Sequence, residues 1–285
     1  MKLDNLNIRG IMNQKVVSRE YKLLLQKDLF IGDEQQLLKK SQEFWHDFSQ
    51  AINSIVIGVK GNLDEIEDRR IIRFYDTDEY IINSNSYILR ERQDVTNDEK
   101  EVTLKFRHPD RYISQDREMN TGKPKFEEDI KAPFGVLYSF SDTQKILTTK
   151  KLNKMVDAAN LYPDLVDKLS YFKQEENIRT IGVTIRELVV KGAKFKIRQE
   201  PRLDSNCALI VWYQNDGDRN SPVAVEFSFK YEDENERYTR KLAQRAYDVF
   251  SKLKKLEPWV DLNSDTKTAY IYKLDALLKQ AGTRV

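Results

Sequence analysis

The sequence predicts a strand-rich α+β protein whose sheet closes or nearly closes, with several helices outside the strands. Three observations carry this. Within 285 residues, roughly ten segments read as strands. Strand after strand alternates an apolar face with a face of Lys, Arg, Glu and Asp. Two long segments outside these strands repeat apolar residues at helical spacing. So many strands in one chain favour a sheet that closes on itself.

The first strand is VVSREYKLLL, in which Ser18, Glu20, Lys22 and Leu24 share one face and Val17, Arg19, Tyr21 and Leu23 the other. Over residues 33–56, Leu37, Leu38, Phe44, Trp45, Phe48, Ile52 and Ile55 form the apolar stripe of a helix, with Gly58 and Gly61 beyond its end. The pattern then changes to short strands: RIIRFYDT, SYILRERQ, EVTLKFRH and KPKFEEDI, separated by the turn-rich NSNS, DVTNDEK and MNTGKP. Helical spacing returns over residues 142–159 and 163–172. Strands resume in NIRTIGVTIRELVV, AKFKIRQE, CALIVWYQ and VAVEFSFKYE, the last two joined by the hairpin-like NDGDRNS. A second strong helix covers 236–256 through Tyr238, Leu242, Ala246, Val249 and Leu253, and KTAYIYKL reads as a closing short strand. No repeat or Pro/Gly-rich linker divides the chain, so one domain over 1–285 is expected, with a core of about 16–273 and an N-terminal extension 1–15.

Sidedness is where function becomes legible. Arg90 and Arg92 share a face; so do Thr103, Lys105 and Arg107, opposite Val102, Leu104 and Phe106. Lys125, Glu127 and Asp129 oppose Phe126 and Ile130; Lys194, Lys196 and Arg198 oppose Phe195 and Ile197; Glu226, Ser228 and Lys230 oppose Val225, Phe227 and Phe229. On one strand such a face is simply the wet side of a half-buried sheet. On five strands together, with few Thr, Ser, Gln or Asn among the charges, it fits the inside of a polar tunnel. Cations around a few carboxylates suit a polyanion and its divalent metal.

Composition sets the bounds. The 48 Lys and Arg nearly cancel 46 Asp and Glu, leaving +2, so an anion site must be a local concentration of charge rather than a global field. The single Cys207 excludes an internal disulfide and lies in a strand-like apolar run, as a core thiol does. The longest apolar run, SIVIGV, falls far short of the roughly 20 residues that span a bilayer. No secretory signal opens the chain, which points to a cytoplasmic protein. His46 and His108 stand without cysteine partners at zinc spacing, Trp45, Trp212 and Trp259 fit packing positions, and KYEDENER reads as a solvated connection. Neither common phosphate-binding glycine loop occurs.

The segment RFYDTDEYIINSNSYILRERQ resembles the YYDTxDxxLxxxGxxLRxR signature of the CYTH superfamily, the triphosphate tunnel metalloenzymes. EVTLKF is similar to the family's TLK strand, KFEEDI to its R-x-E-x-E strand, and SREYK stands where the family opens with E-x-E-x-K. VEFSFK and DTKTAYI fall where the family has its late acidic strand and its terminal Ser- and Lys-containing strand. The resemblance runs over about residues 16–273. It implies a closed antiparallel β-barrel of about eight strands, with a charged tunnel interior and helices packed outside, whose lumen binds triphosphate with Mg²⁺ or Mn²⁺. By position, Lys22, Arg90, Arg92, Lys105, Lys125, Lys194, Arg198 and Lys267 would hold phosphate oxygens. Glu20, Glu127, Asp129 and Glu226 would hold metal, and Glu226, Lys22 and Arg90 would act in catalysis. The implied partner is a small polyanionic substrate, a triphosphate or a nucleotide, with nucleic acid expected only as a 5′-triphosphate RNA end and no membrane.

Two departures bear on activity: Ser18 replaces the first Glu of the opening signature, and Ser228 stands where a second late carboxylate is expected. Glycine is also missing after YDT, where Asn83 and Asn85 can supply left-handed turns. A metal-dependent triphosphate hydrolase, a nucleotide cyclase using the same site, and a tunnel that binds a phosphorylated ligand without turnover all remain open.

Overall fold

The computed structural model describes residues 14–117, 119, 121–132, 135–263 and 266–282; most of the expected 1–15 extension lies outside them. Its strands are β1 (Ser18–Leu25), β2 (Gly58–Lys60), β3 (Glu65–Asp76), β4 (Tyr87–Asp94), β5 (Lys100–His108), β6 (Lys125–Lys131), β7 (Gly135–Ile146), β8 (Arg179–Thr180), β9 (Ile185–Lys191), β10 (Lys194–Arg198), β11 (Leu203–Gln214), β12 (Ala224–Glu232) and β13 (Val260–Asp261). Nine of them close a ring in the order β12, β1, β6, β7, β5, β4, β3, β9, β11 and back to β12. β10 and β2 branch from β11, β13 pairs with β1, and β8 with β3.

The ring is therefore nine-stranded and mixed, where about eight antiparallel strands were expected. The extra strand is β7: GVLYSFSDTQKI carries a period-2 pattern that the expected helix over 142–159 overran, and the helix there, α4 (Met155–Leu161), starts only at Met155. A closed ring with an odd number of strands cannot alternate direction throughout. One neighbouring pair must run parallel, and it is β1 with β6, Glu20 beside Asp129.

The apolar outer faces are covered by helices. α1 (Glu34–Ile52) begins in a capping box of Asp33 and Gln36 and buries Leu37, Phe44, Trp45, Phe48 and Ile52. α6 (Arg240–Leu253), capped by Thr239, buries Leu242, Ala246, Val249, Phe250 and Leu253. Both pack on β1, β11 and β12, where Tyr21 stacks on Phe229 at 4.8 Å and Phe44 meets Phe227 edge-on at 4.9 Å. Each such burial is worth about 1.5–3 kcal/mol. Cys207 lies in this core, its thiol pushed well up by burial. On the far side Leu89, Leu104, Phe126 and Phe140 pack against α4 and the short α5 (Leu165–Lys168). The left-handed residues around the turn helix α2 (Ile81–Ser84) are Tyr80 and Ser86, not Asn83 or Asn85. Another short helix, α3 (Arg111–Gln115), follows β5.

KTAYIYKL, expected as a strand, opens a helix, α7 (Lys267–Gln280), capped by the Thr266 hydroxyl. Tyr270, Ile271 and Tyr272 favour strand locally, but only Ile271 and Asp275, one turn apart, are buried. Ile271 packs on Ile72, Phe74, Ile185 and Trp212, so the helix covers one end of the barrel. Asp275 fastens it, accepting from both Arg179 guanidinium nitrogens at 2.8 Å, from the Tyr80 hydroxyl at 2.6 Å and from the Gly182 amide at 2.8 Å. Asp275→Ala removes every one of these bonds. Amide exchange across 267–280 is expected to quicken at least tenfold, about 1.4 kcal/mol of local opening, while β11 and β12 keep their protection; unchanged exchange in 267–280 would show that the network does not hold the helix.

Candidate functional site

Because residues facing each other in register share a face of the sheet, nine strands rolled into a ring turn their charged faces onto one cavity of about 400 Å³. Among the described residues its wall carries nine cations (Lys22, Arg90, Arg92, Lys105, Arg107, Lys125, Lys131, Lys230, Lys267) against six carboxylates (Glu20, Glu127, Asp129, Glu187, Glu226, Asp261).

The acids are already engaged. Lys22 Nζ donates at 2.9 Å to both Glu20 Oε2 and Asp129 Oδ1. Asp129 Oδ2 lies 3.2 Å from Lys105 Nζ and 3.3 Å from Arg107 Nε, paired by charge at angles that make no hydrogen bond. Glu127 Oε1 accepts from Lys230 at 2.7 Å and from the Ser18 hydroxyl at 2.8 Å. Glu226 pairs with Lys267 at 3.2 Å. Burial works to raise the Asp129 and Glu127 carboxyls, yet Lys105, Lys22 and Arg107 hold Asp129 well below the usual range, and Lys105 and Lys230 bring Glu127 down to about 2. Lys22 is likewise pressed down by burial and raised overall by Asp129 and Glu20.

The two arginines of β4 differ. Among the described residues neither Arg90 nor Arg92 has a carboxylate within ion-pair distance, and the buried Nε of each has no hydrogen-bond partner. Burial and mutual repulsion push Arg90 well below the ordinary guanidinium value, and burial lowers Arg92. Glu187, an acid of the same lumen wall, gives its oxygens to the Trp212 indole at 2.8 Å and to Arg70 at 3.4 Å. Burial would raise Glu187, but Arg92 and Lys267 hold it at about 2. Two desolvated, unpaired cations side by side are costly unless an anion joins them.

Of the residues expected at the site, Lys22, Arg90, Arg92, Lys105, Lys267, Glu20, Glu127, Asp129 and Glu226 line the cavity, with Lys125 half exposed at its rim beside Glu232. Lys194 and Arg198 do not. Their strand β10 has the same alternation as the lumen strands, but it pairs with β11 and β2 on the branch beyond the ring. Arg198 is bound there to Asp233, a buried member of the segment expected to be solvated. Arg107, Lys230 and Glu187 were not singled out. The first two fall on charged faces visible in the sequence, whereas Glu187 sits in the apolar RELVV and becomes a wall residue only through its register with Trp212.

Among the described residues no three acidic, His or Cys groups converge as a metal cage. The donor chemistry nonetheless suits a cation: the ionised Glu20 and Asp129, neighbours in the parallel pair, already hold one ammonium between them. No helix among the described residues is long and apolar enough to cross a membrane.

No family model matches the chain, and no curated protein matches it. Solved structures do. A candidate adenylyl cyclase from Hippeastrum, described as having a dominant triphosphatase activity, is 16% identical with a TM-score of 0.46, covering 95% of this chain and 98% of that one. A candidate adenylate cyclase from Bacillus halodurans is 14% identical with a TM-score of 0.40, covering 92% and 100%. One from Vibrio parahaemolyticus is 10% identical with a TM-score of 0.33, covering 90% and 98%. At these values the likenesses carry no argument about chemistry.

Proposed function

We propose that the lumen binds a triphosphate, inorganic or organic, and hydrolyses it. The supporting observation is the pair Arg90 and Arg92, each with a buried, unpartnered Nε and no carboxylate at ion-pair distance among the described residues, in a cavity where cations outnumber acids. A triphosphate chain brings the missing charge, and Lys105 and Arg107 on the neighbouring strand β5, with Lys22 on β1, line the same cavity to take its other oxygens. Phosphoryl transfer asks the protein mainly for positioning and charge neutralisation, which fixed side chains on a barrel provide. Glu226, held in place by Lys267 at one end of the lumen, is the carboxylate assigned to orient the attacking water for in-line displacement. Glu20 and Asp129 would hold Mg²⁺ or Mn²⁺, which would supply Lewis-acid polarisation of phosphate oxygens.

One observation favours a second reading, a binding module without turnover. Ser18 and Ser228 are buried where carboxylates are expected, and the Ser18 hydroxyl is spent on Glu127. The purified chain, given tripolyphosphate and nucleoside triphosphates with Mg²⁺ or Mn²⁺, is expected to release orthophosphate. Tight binding with no product would establish the module instead, and cyclic nucleotide with pyrophosphate would establish a cyclase.

A further inference from the structure

β10 and β2 carry charge that the lumen does not use. In register, Lys60 lies opposite Lys194, Lys194 opposite Asn206, Asn206 opposite Lys230 and Lys230 opposite Glu20. This is one row on one face of the sheet, running from the wall of the lumen across β12 and β11 onto the branch. Strands lie about 4.8 Å apart, so Lys194 stands roughly 10 Å from Lys230 along the row. Directly opposed like charges such as Lys60 and Lys194 cost stability, and neither has an acid within 4 Å among the described residues. Gly58, opposite Lys196, leaves open space where a side chain would stand. The outcome is a depression of about 200 Å³ lined by Lys60, Lys194, Lys196 and Arg202, with Asp204 the only acid among its described lining residues.

We infer that this ledge is a second anion site, continuous with the lumen, for the outer part of a linear polyphosphate chain longer than a triphosphate. The inference rests on the reading of the lumen as a phosphate site. The ledge is cationic and offers no aromatic surface on which a base could stack; the Phe195 ring belongs to the core on the opposite face. A ligand that is phosphate throughout therefore fits it better than a nucleic-acid strand, which draws much of its binding from stacking.

The test uses calorimetric titration of the whole chain at low salt with tripolyphosphate, with a long linear polyphosphate, and with a short 5′-triphosphate RNA. The long chain is expected to bind the unaltered protein roughly tenfold or more tightly than tripolyphosphate, an advantage that fades as salt rises. In Lys60→Gln/Lys196→Gln that advantage should fall to about threefold or less, with tripolyphosphate binding unchanged and the melting temperature no lower. Lys60→Arg/Lys196→Arg should keep it. No advantage of length, or an advantage that survives the Gln variant, overturns the ledge while leaving the lumen reading intact. A ledge-dependent gain seen for RNA but not for polyphosphate also overturns it. Tripolyphosphate that fails to bind at all, beside a long chain that does, overturns the lumen reading and keeps the ledge.

Discussion

Arg90→Gln/Arg92→Gln is expected to cost at least 100-fold in affinity for tripolyphosphate and, in the same protein, to raise the melting temperature. The two effects have one cause. Each guanidinium is desolvated without a counter-ion, so the free protein carries a strain that a bound polyanion relieves. Losing two charge-assisted contacts removes about 1.5–3 kcal/mol apiece from binding, or upwards of two orders of magnitude together. Losing the unpaired charges gives back about 1–2 kcal/mol of stability, a shift of roughly 2–4 °C for a chain of this size. Titration calorimetry and thermal melting read both. A variant that binds as before, or one that melts lower, would show that these arginines are structural.

Asp129→Ala should act in the opposite sense, costing about 3–5 kcal/mol of stability, because it strands Lys22, Lys105 and Arg107 around an empty centre. Urea unfolding measures the loss, and one below about 1 kcal/mol would mean that the cations find other partners. Added tripolyphosphate should stabilise the variant more than the unaltered protein, since it replaces the deleted charge. The pH profile follows with its sign. Asp129 and Glu127 have folded values below their unfolded ones, which are about 3.9 and 4.3. Their contribution is therefore fully present above about pH 5 and is lost as pH falls toward 2, the value to which Glu127 is lowered. The variant should show a shallower acid limb.

How much of this could be read from residue order depends on whether a feature is local. The alternation in SREYK, LRERQ, TLKFRH and KFEED shows which side chains share a face, and the barrel keeps those faces. The stripes of α1 and α6 are equally plain. β7 and α7 were missed for opposite reasons. Ser, Asp and Thr thin the strand pattern of β7, while α7 has the β-favouring YIY and buries too narrow a stripe to announce a helix. Lys194 and Arg198 alternate as lumen residues do. Only the pairing of β10 with β2 puts them outside the ring, and pairing over such sequence distances leaves no mark on the strand itself. The counter-ion shortage at Arg90 is a property of the closed ring and of no single segment.

The parallel pair also sets the order in which the molecule can be completed. β1, formed by residues 18–25, closes against β6 and then β12, whose residues 224–232 leave a ribosome some two hundred positions later. The first strand to be made is the last to be sealed. One of its edges lacks a partner until β6 is made and the other until β12 is, and pairings between such distant segments form slowly. The acid and base of Glu20 and Lys22, half-buried in the finished lumen, keep that waiting edge charged and so discourage it from joining another chain.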